Sequence, residues 1–153
     1  MKKTKKNILC LIIIKLKKMD HIIENSYVGG LRTSSTHLKS GEKIITDAPT
    51  DNNGKGEAFA PTDLVSSALC SCMTTVMGIC AEKGGFKMPN STAKITKIMS
   101  SEPRKIKEIR VELDFEENNL SEVQKKKLKE VGENCPVAKS LHPDINQVIN
   151  FNF

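Results

Sequence analysis

Three features of the 153-residue sequence predict an α+β fold. An apolar helical pattern of about 22 residues occupies the middle of the chain, short alternating segments flank it on both sides, and a second amphipathic pattern precedes the last strand-like segment. The order is strands, long helix, strands, helix, strand. The length accommodates one core of ordinary size, so residues 19–153 are read as a single domain.

From Ile22 to Leu38 the sequence is β-permissive and broken by Gly29-Gly30, and Lys43–Thr46 reads as a further short strand joined by a hairpin. Asp47–Gly56 (DAPTDNNGKG) is dense in turn formers and is read as a loop. Pro61 then opens the long helix, Asp63 falls in its first turn where an acid complements the dipole, and Gly84-Gly85 stops it. Along it Leu64, Ala68, Cys72, Val76 and Ile79/Cys80 form the expected core stripe, widened by Leu69, Met73 and Met77. Thr92–Met99 and Ile106–Phe115 follow as strands. In the second, Ile109, Val111, Leu113 and Phe115 alternate with Arg110, Glu112 and Asp114. Ser121 and Gln124 make a capping box for a helix through about Gly132, with Leu120, Val123, Leu128 and Val131 expected inside. Cys135-Pro136 starts a short helical turn that Pro143 ends, and Gln147–Phe153 alternates as the final strand.

The net charge of +6 has a local origin. Residues 1–18 (MKKTKKNILCLIIIKLKK) carry seven Lys and no acid, which leaves 17 basic against 18 acidic residues in the rest. Nucleic-acid binding is therefore not expected, and with no Trp and 4% aromatics the chain is poor in stacking platforms for bases. The leader has the run Ile8–Ile14, but Lys follows directly and no small-x-small cleavage site appears. Seven residues cannot span a bilayer, which needs about 20. The leader is read as a disordered or mis-assigned start with Met19 as the alternative, and a cytoplasmic, membrane-free protein is expected. Five cysteines, at 10, 70, 72, 80 and 135, are odd in number and irregularly spaced, so they do not form a disulfide framework.

Cys72 lies three turns into the long helix, too far for the N-terminal dipole to activate it, so its reactivity requires a cation from elsewhere. On its own it reads first as a packing residue. Cys135, immediately before Pro136, sits at a cap beside free N–H groups that favour a thiolate, or is a purely structural cap. Cys70 is about 200° around the helix from Cys72 and is read as inert, and Cys80 as core. No C-x-x-C or paired-His spacing supports a metal site, and no nucleophile elbow, phosphate loop or dinucleotide fingerprint is present.

The string Ala58–Cys80 (AFAPTDLVSSALCSCMTTVMGIC) resembles the signature helix of the OsmC/Ohr family of osmotically inducible and organic hydroperoxide resistance proteins. Pro61, Leu64 three residues on, and Cys72 eleven residues after the Pro carry the match. It extends to Tyr27–Thr33 (YVGGLRT), His37, Ser40-Gly41, Thr46–Pro49 (TDAP) and Cys135–Leu141 (CPVAKSL). The resemblance implies an intertwined homodimer with antiparallel or mixed sheets around a long central helix and active sites at the subunit interface. It implies Cys72 as the peroxidatic cysteine, Cys135 as its resolving partner, and Arg32 as the arginine that approaches the thiolate. The expected activity is reduction of organic hydroperoxides, hydrogen peroxide or both, with no bound cofactor and an external dithiol as reductant. The alternative is a non-catalytic or redox-sensing member of the family that binds a small apolar ligand. One position departs from the pattern. Where Ohr-type members have a Glu after the Pro to orient the arginine, this chain has Thr62, then Asp63. Asp63 lies nine residues before Cys72, on the opposite side of an ideal helix, and is read first as a dipole partner and second as the orienter of Arg32.

Overall fold

The structure, a computed structural model, describes residues 21–153. The leader 1–18, with Cys10 and the alternative start Met19, lies outside the described residues. The chain builds two three-stranded sheets and a long helix. β1 (Ile23–Gly29), β2 (Arg32–His37) and β3 (Lys43–Asp47) form an antiparallel sheet in that order. A 3-10 turn at Thr50–Asn52 leads to α1 (Pro61–Lys83). β4 (Ser91–Ser101) and β5 (Arg104–Phe115) make an antiparallel hairpin. After α2 (Glu122–Glu133) and α3 (Pro136–Ser140), β6 (Asn146–Asn152) returns to pair parallel with β5. The second sheet is therefore mixed, because the two helices carry the chain back before β6 joins.

The turn between β1 and β2 explains why Gly29-Gly30 interrupts a strand-like sequence. Gly29 and Gly30 have φ of 87° and 59°, values glycine adopts without steric cost, and Leu31 continues the left-handed turn at 62°. The Tyr27 hydroxyl accepts the Leu31 N–H at 3.2 Å, fixing the turn just ahead of Arg32.

The core lies between α1 and the second sheet and is closed by α2 and α3. Leu69, Met73, Met77 and Ala81 of α1 meet Ile109, Val111 and Leu113 of β5 and Leu128 of α2, all buried. The alternation of β5 thus places its apolar residues where expected. Two sequence expectations are corrected. The helix stripe running through Cys72 is not the buried one: Cys72, Val76 and Cys80 are half-buried, while Ala68 and Ile79 are exposed. With apolar side chains on most of its circumference, α1 carried no unique face in its periodicity, and the sheet selects the Leu69–Met73–Met77–Ala81 side. By length and composition α1 is also apolar enough to cross a membrane, although one side of it is sheathed in the core. The second correction concerns Val123, which is 78% exposed. Five residues from Leu128 is about 140° around a helix, so both cannot face the core. Leu128 and Gly132 do.

Candidate active site

The N-terminal end of α3 is the first half of the site. Pro136 occupies the first helical position and Cys135 the N-cap, where its Sγ accepts the Ala138 N–H at 3.4 Å. Gly132 lets α2 approach α1 closely, since a Cβ there would lie 3.0 Å from the Met77 sulfur. The Cys135 N–H in turn donates to the Gly132 carbonyl at 3.1 Å. This approach makes the Cys72 thiol on α1 a neighbour of the Cys135 thiol. Both are free thiols, Cys72 half-buried and Cys135 buried.

Burial pushes the Cys135 thiol up from its ordinary value, and the neighbouring Cys72 sulfur adds to that, while the Ala138 N–H opposes both. The thiolate-favouring cap expected from Pro136 is present but outweighed, because losing water costs the charged sulfur more than one N–H returns. Cys135 is accordingly held as a neutral thiol. Cys70 is buried on the core side of α1, and burial raises it too.

Arg32 is the second half. It opens β2 directly opposite Asp47, the last residue of β3, and the two carboxylate oxygens of Asp47 accept its Nε and Nη2, each at 2.7 Å. Nη2 also donates to Glu57 at 2.7 Å. Asp47 is only 2% exposed, and its Oδ2 accepts the Glu57 backbone N–H at 3.0 Å. The guanidinium holds the Asp47 carboxyl below the usual aspartate range, more than offsetting its burial. Asp47, then Glu57, hold Arg32 still more firmly protonated. This is a bidentate fork of the kind a lysine could not make.

Asp63 does something else. Its Oδ2 accepts the Ala60 N–H at 2.8 Å, capping α1, and its Oδ1 accepts Lys97 Nζ at 2.6 Å. Lys97 also donates to Thr62 Oγ1 at 2.7 Å, so Thr62 and Asp63 tie the start of α1 to β4. Burial raises the Asp63 carboxyl, but the Lys97 bond, the Ala60 N–H and the Lys97 charge together carry it below its ordinary value. Within the chain the carboxylates that hold Arg32 are Asp47 and Glu57, while Asp63 is paired with Lys97, in keeping with its first reading as a partner of the helix start. In the sequence Asp47 reads as the first loop residue. The β2–β3 register alone identifies it, since pairing Thr36 with Lys43 across the turn makes Arg32 face Asp47.

Within one chain the side-chain hydrogen bonds of Arg32 go to Asp47 and Glu57 and none goes to Cys72. No group of three or more His, Cys, Asp or Glu among the described residues could hold a metal ion.

The profile described as OsmC-like protein matches residues 54–149. The chain superposes on a Psychrobacter arcticus structure, named for osmotic stress induction and a detoxification response, with a TM-score of 0.81 and 44% identity over 86% of this chain and 95% of that one. The chain belongs to the OsmC-like protein family. More distant relatives share the fold. An organic hydroperoxide resistance protein OsmC of Legionella pneumophila gives a TM-score of 0.67 at 14% identity, covering 89% of this chain and 100% of that one. The organic hydroperoxide resistance protein OhrB of Bacillus subtilis gives 0.59 at 12%, covering 86% and 98%. No curated protein matches.

Proposed function

We propose that the chain is a thiol-dependent peroxidase that reduces organic hydroperoxides, hydrogen peroxide or both through Cys72 and Cys135. The observation that carries this reading is the meeting of the two thiols at the α1–α3 contact, one half-buried and one buried and neutral. The names of the Legionella and Bacillus relatives, both organic hydroperoxide resistance proteins, point the same way.

The Cys72 thiolate attacks one peroxide oxygen, the O–O bond breaks, and the leaving alkoxide or hydroxide takes up a proton as alcohol or water. Cys72 is left as a sulfenic acid. Cys135 then gives up its proton to the departing hydroxyl and its sulfur attacks the sulfenic sulfur, releasing water and forming a Cys72–Cys135 disulfide. An external dithiol supplies two electrons by exchange and no bound cofactor takes part.

The cation that favours the thiolate is Arg32, and we propose that it comes from a second copy of the chain. All seven residues of β1 are exposed, and Ile23, Tyr27, Val28, Ile44 and Ile45 leave the first sheet with uncovered apolar side chains. A three-stranded sheet needs such a surface packed against something to be stable. In a homodimer the partner's helix covers it and receives its arginine. The site of action is the reducing cytoplasm, away from membranes and nucleic acids.

The test is consumption of cumene hydroperoxide and hydrogen peroxide by the purified protein with dithiothreitol. Cys72→Ser is expected to abolish turnover, and Cys135→Ser to stop it after one cycle with a sulfenic or overoxidised Cys72 detectable by mass spectrometry. No turnover of either peroxide by the wild type overturns the reading and leaves a family member that binds or senses.

A further inference from the structure

The N–H bonds of a guanidinium lie in one plane with fixed directions. Nε–H and one Nη2–H point together along one edge, and the other Nη2–H points together with one Nη1–H across the end. Asp47 fills the first edge of Arg32, one oxygen on Nε and the other on Nη2. Nη2 also donates to Glu57, and with one of its hydrogens committed to Asp47 the other serves Glu57, at the end of the plane. Nη1 makes no hydrogen bond among the described residues. The end of Arg32 is therefore an anion site with two N–H groups, and a carboxylate of the same chain stands on one of them.

The two carboxylates differ in what it takes to move them. Asp47 is almost fully buried and bonded by both oxygens to the guanidinium, so displacing it would strand a charge away from water. The Glu57 side chain is 58% exposed and holds by a single oxygen, and exposed pairs of that kind are weak. Arg32 itself is 34% exposed, so an incoming group has access to it. The backbone of Glu57 has a separate task, since its N–H donates to Asp47 at 3.0 Å. A substitution of the side chain leaves that bond in place.

We infer that the Glu57 side chain is a displaceable occupant of this anion site, a positioning residue that limits how strongly Arg32 activates Cys72. This rests on the reading above in which Arg32 meets the Cys72 thiolate of a second copy. A thiolate and a carboxylate compete for the same cation, and like charges beside one another disfavour ionisation. With Glu57 in place the thiolate is offered Nη1 alone and faces a second anion. With Glu57 turned into water, both N–H groups at the end of the plane are open to the sulfur and to the peroxide oxygen it attacks. Asp47 keeps the guanidinium in position in either case. Glu57 makes and breaks no covalent bond and moves no proton. The other charged group acting on this cluster within the chain is Lys55, near Asp47, and the titratable neighbour of Cys72 is Cys135.

The experiment measures the rate at which iodoacetamide, a neutral reagent that consumes thiolates, alkylates Cys72 across the pH range of thiol ionisation. Tandem mass spectrometry separates Cys72 from Cys70, Cys80 and Cys135. Glu57→Gln removes the charge and keeps the shape, and it is expected to move the Cys72 midpoint to lower pH. Its rate at neutral pH should rise on the order of threefold, as loss of one water-screened charge a guanidinium's width away does. Glu117→Gln, an equal change of charge in the loop after β5, should leave the midpoint where it is. Arg32→Ala/Asp47→Asn removes the cation without stranding its buried carboxylate, and its midpoint should lie above that of the wild type. In that background the effect of Glu57→Gln should disappear. An unchanged or higher midpoint in Glu57→Gln, with the arginine-free variant still shifted up, overturns the inference and leaves the arginine assignment intact. An arginine-free midpoint equal to that of the wild type overturns both. Alkylation needs no turnover, so the result stands apart from whether the protein consumes peroxide.

Discussion

Arg32 and Asp47 face each other at the ends of adjacent strands, and this pair fixes where the guanidinium sits on the first sheet. The aspartate is almost fully buried, and every hydrogen bond it accepts comes from Arg32 or the Glu57 N–H, so it orients the guanidinium more rigidly than the exposed Glu57 can. Arg32→Ala is expected to lower kcat/KM for hydroperoxide by on the order of a hundredfold, as loss of one preorganised charge does. Arg32→Lys should recover little of it, because an ammonium cannot occupy both carboxylate oxygens. Asp47→Asn should act through the arginine and depress kcat/KM in the same direction. The Asp47 pair also predicts a pH dependence. A carboxyl lowered by folding stabilises the native state wherever it is ionised, so its contribution is complete above the ordinary value of 3.8 and is lost as pH falls through the lower native value. Thermal melts of wild type and Asp47→Asn should therefore differ by a constant Tm gap above about pH 5, narrowing only in more acidic solution. A gap that instead widened with acidity would rule out the ion pair as its source. Cys72, Cys135 and Arg32 were legible as residues because their surroundings match a known pattern. Asp47 lies in the matching TDAP segment, but its role as the holder of Arg32 was not legible, since what marks it is a cross-strand partner 15 positions away.

At the scale of elements, α1 shows how an accurate helix boundary can accompany a wrong face. Pro61, Asp63 and Gly84 act locally, and the helix spans Pro61–Lys83 as expected. Its rotation depends on which side the second sheet and α2 take. Met77 is fully buried and next to Gly132, so Met77→Ala should cost about 2–5 kcal/mol in urea unfolding, the range for emptying a core site. Val123→Ala on the exposed side of α2 should stay within about 0.5 kcal/mol. Equal losses for the two would mean that α2 is turned the other way. β6 carries a similar lesson. Its alternation was readable, but its parallel pairing with β5 was not, because the direction of a returning strand depends on the path of the chain through α2 and α3.

For the whole molecule, one half of the candidate site lies on helices and the other on the first sheet, and within one chain Arg32 is hydrogen-bonded to Asp47 and Glu57 and not to Cys72. If the arginine is delivered by a second copy, two inactive variants should complement each other. Mixing Arg32→Ala with Cys72→Ser under conditions that let subunits exchange should restore peroxide consumption, since one site of the mixed dimer then combines an intact Cys72 with an intact Arg32. No recovery, with exchange verified by mass spectrometry, would show that Arg32 acts within its own chain or not at all. Sedimentation equilibrium of the wild type should give twice the 16.9 kDa chain mass.

The sequence by itself determined the α+β class, the limits of the long helix, the capped second helix and the residues that match the family pattern. Each depends on chemistry within a few positions: a proline that cannot donate, a serine that caps, a glycine that turns, an alternation that suits a strand. Tertiary structure alone decided which side of α1 is buried, that Cys135 is a neutral thiol despite its cap, that Lys97 takes Asp63, and that Asp47 holds Arg32. Those outcomes depend on distances between segments far apart in the chain. Burial and pairing energies are set by which surfaces meet in space, and local sequence does not contain that information.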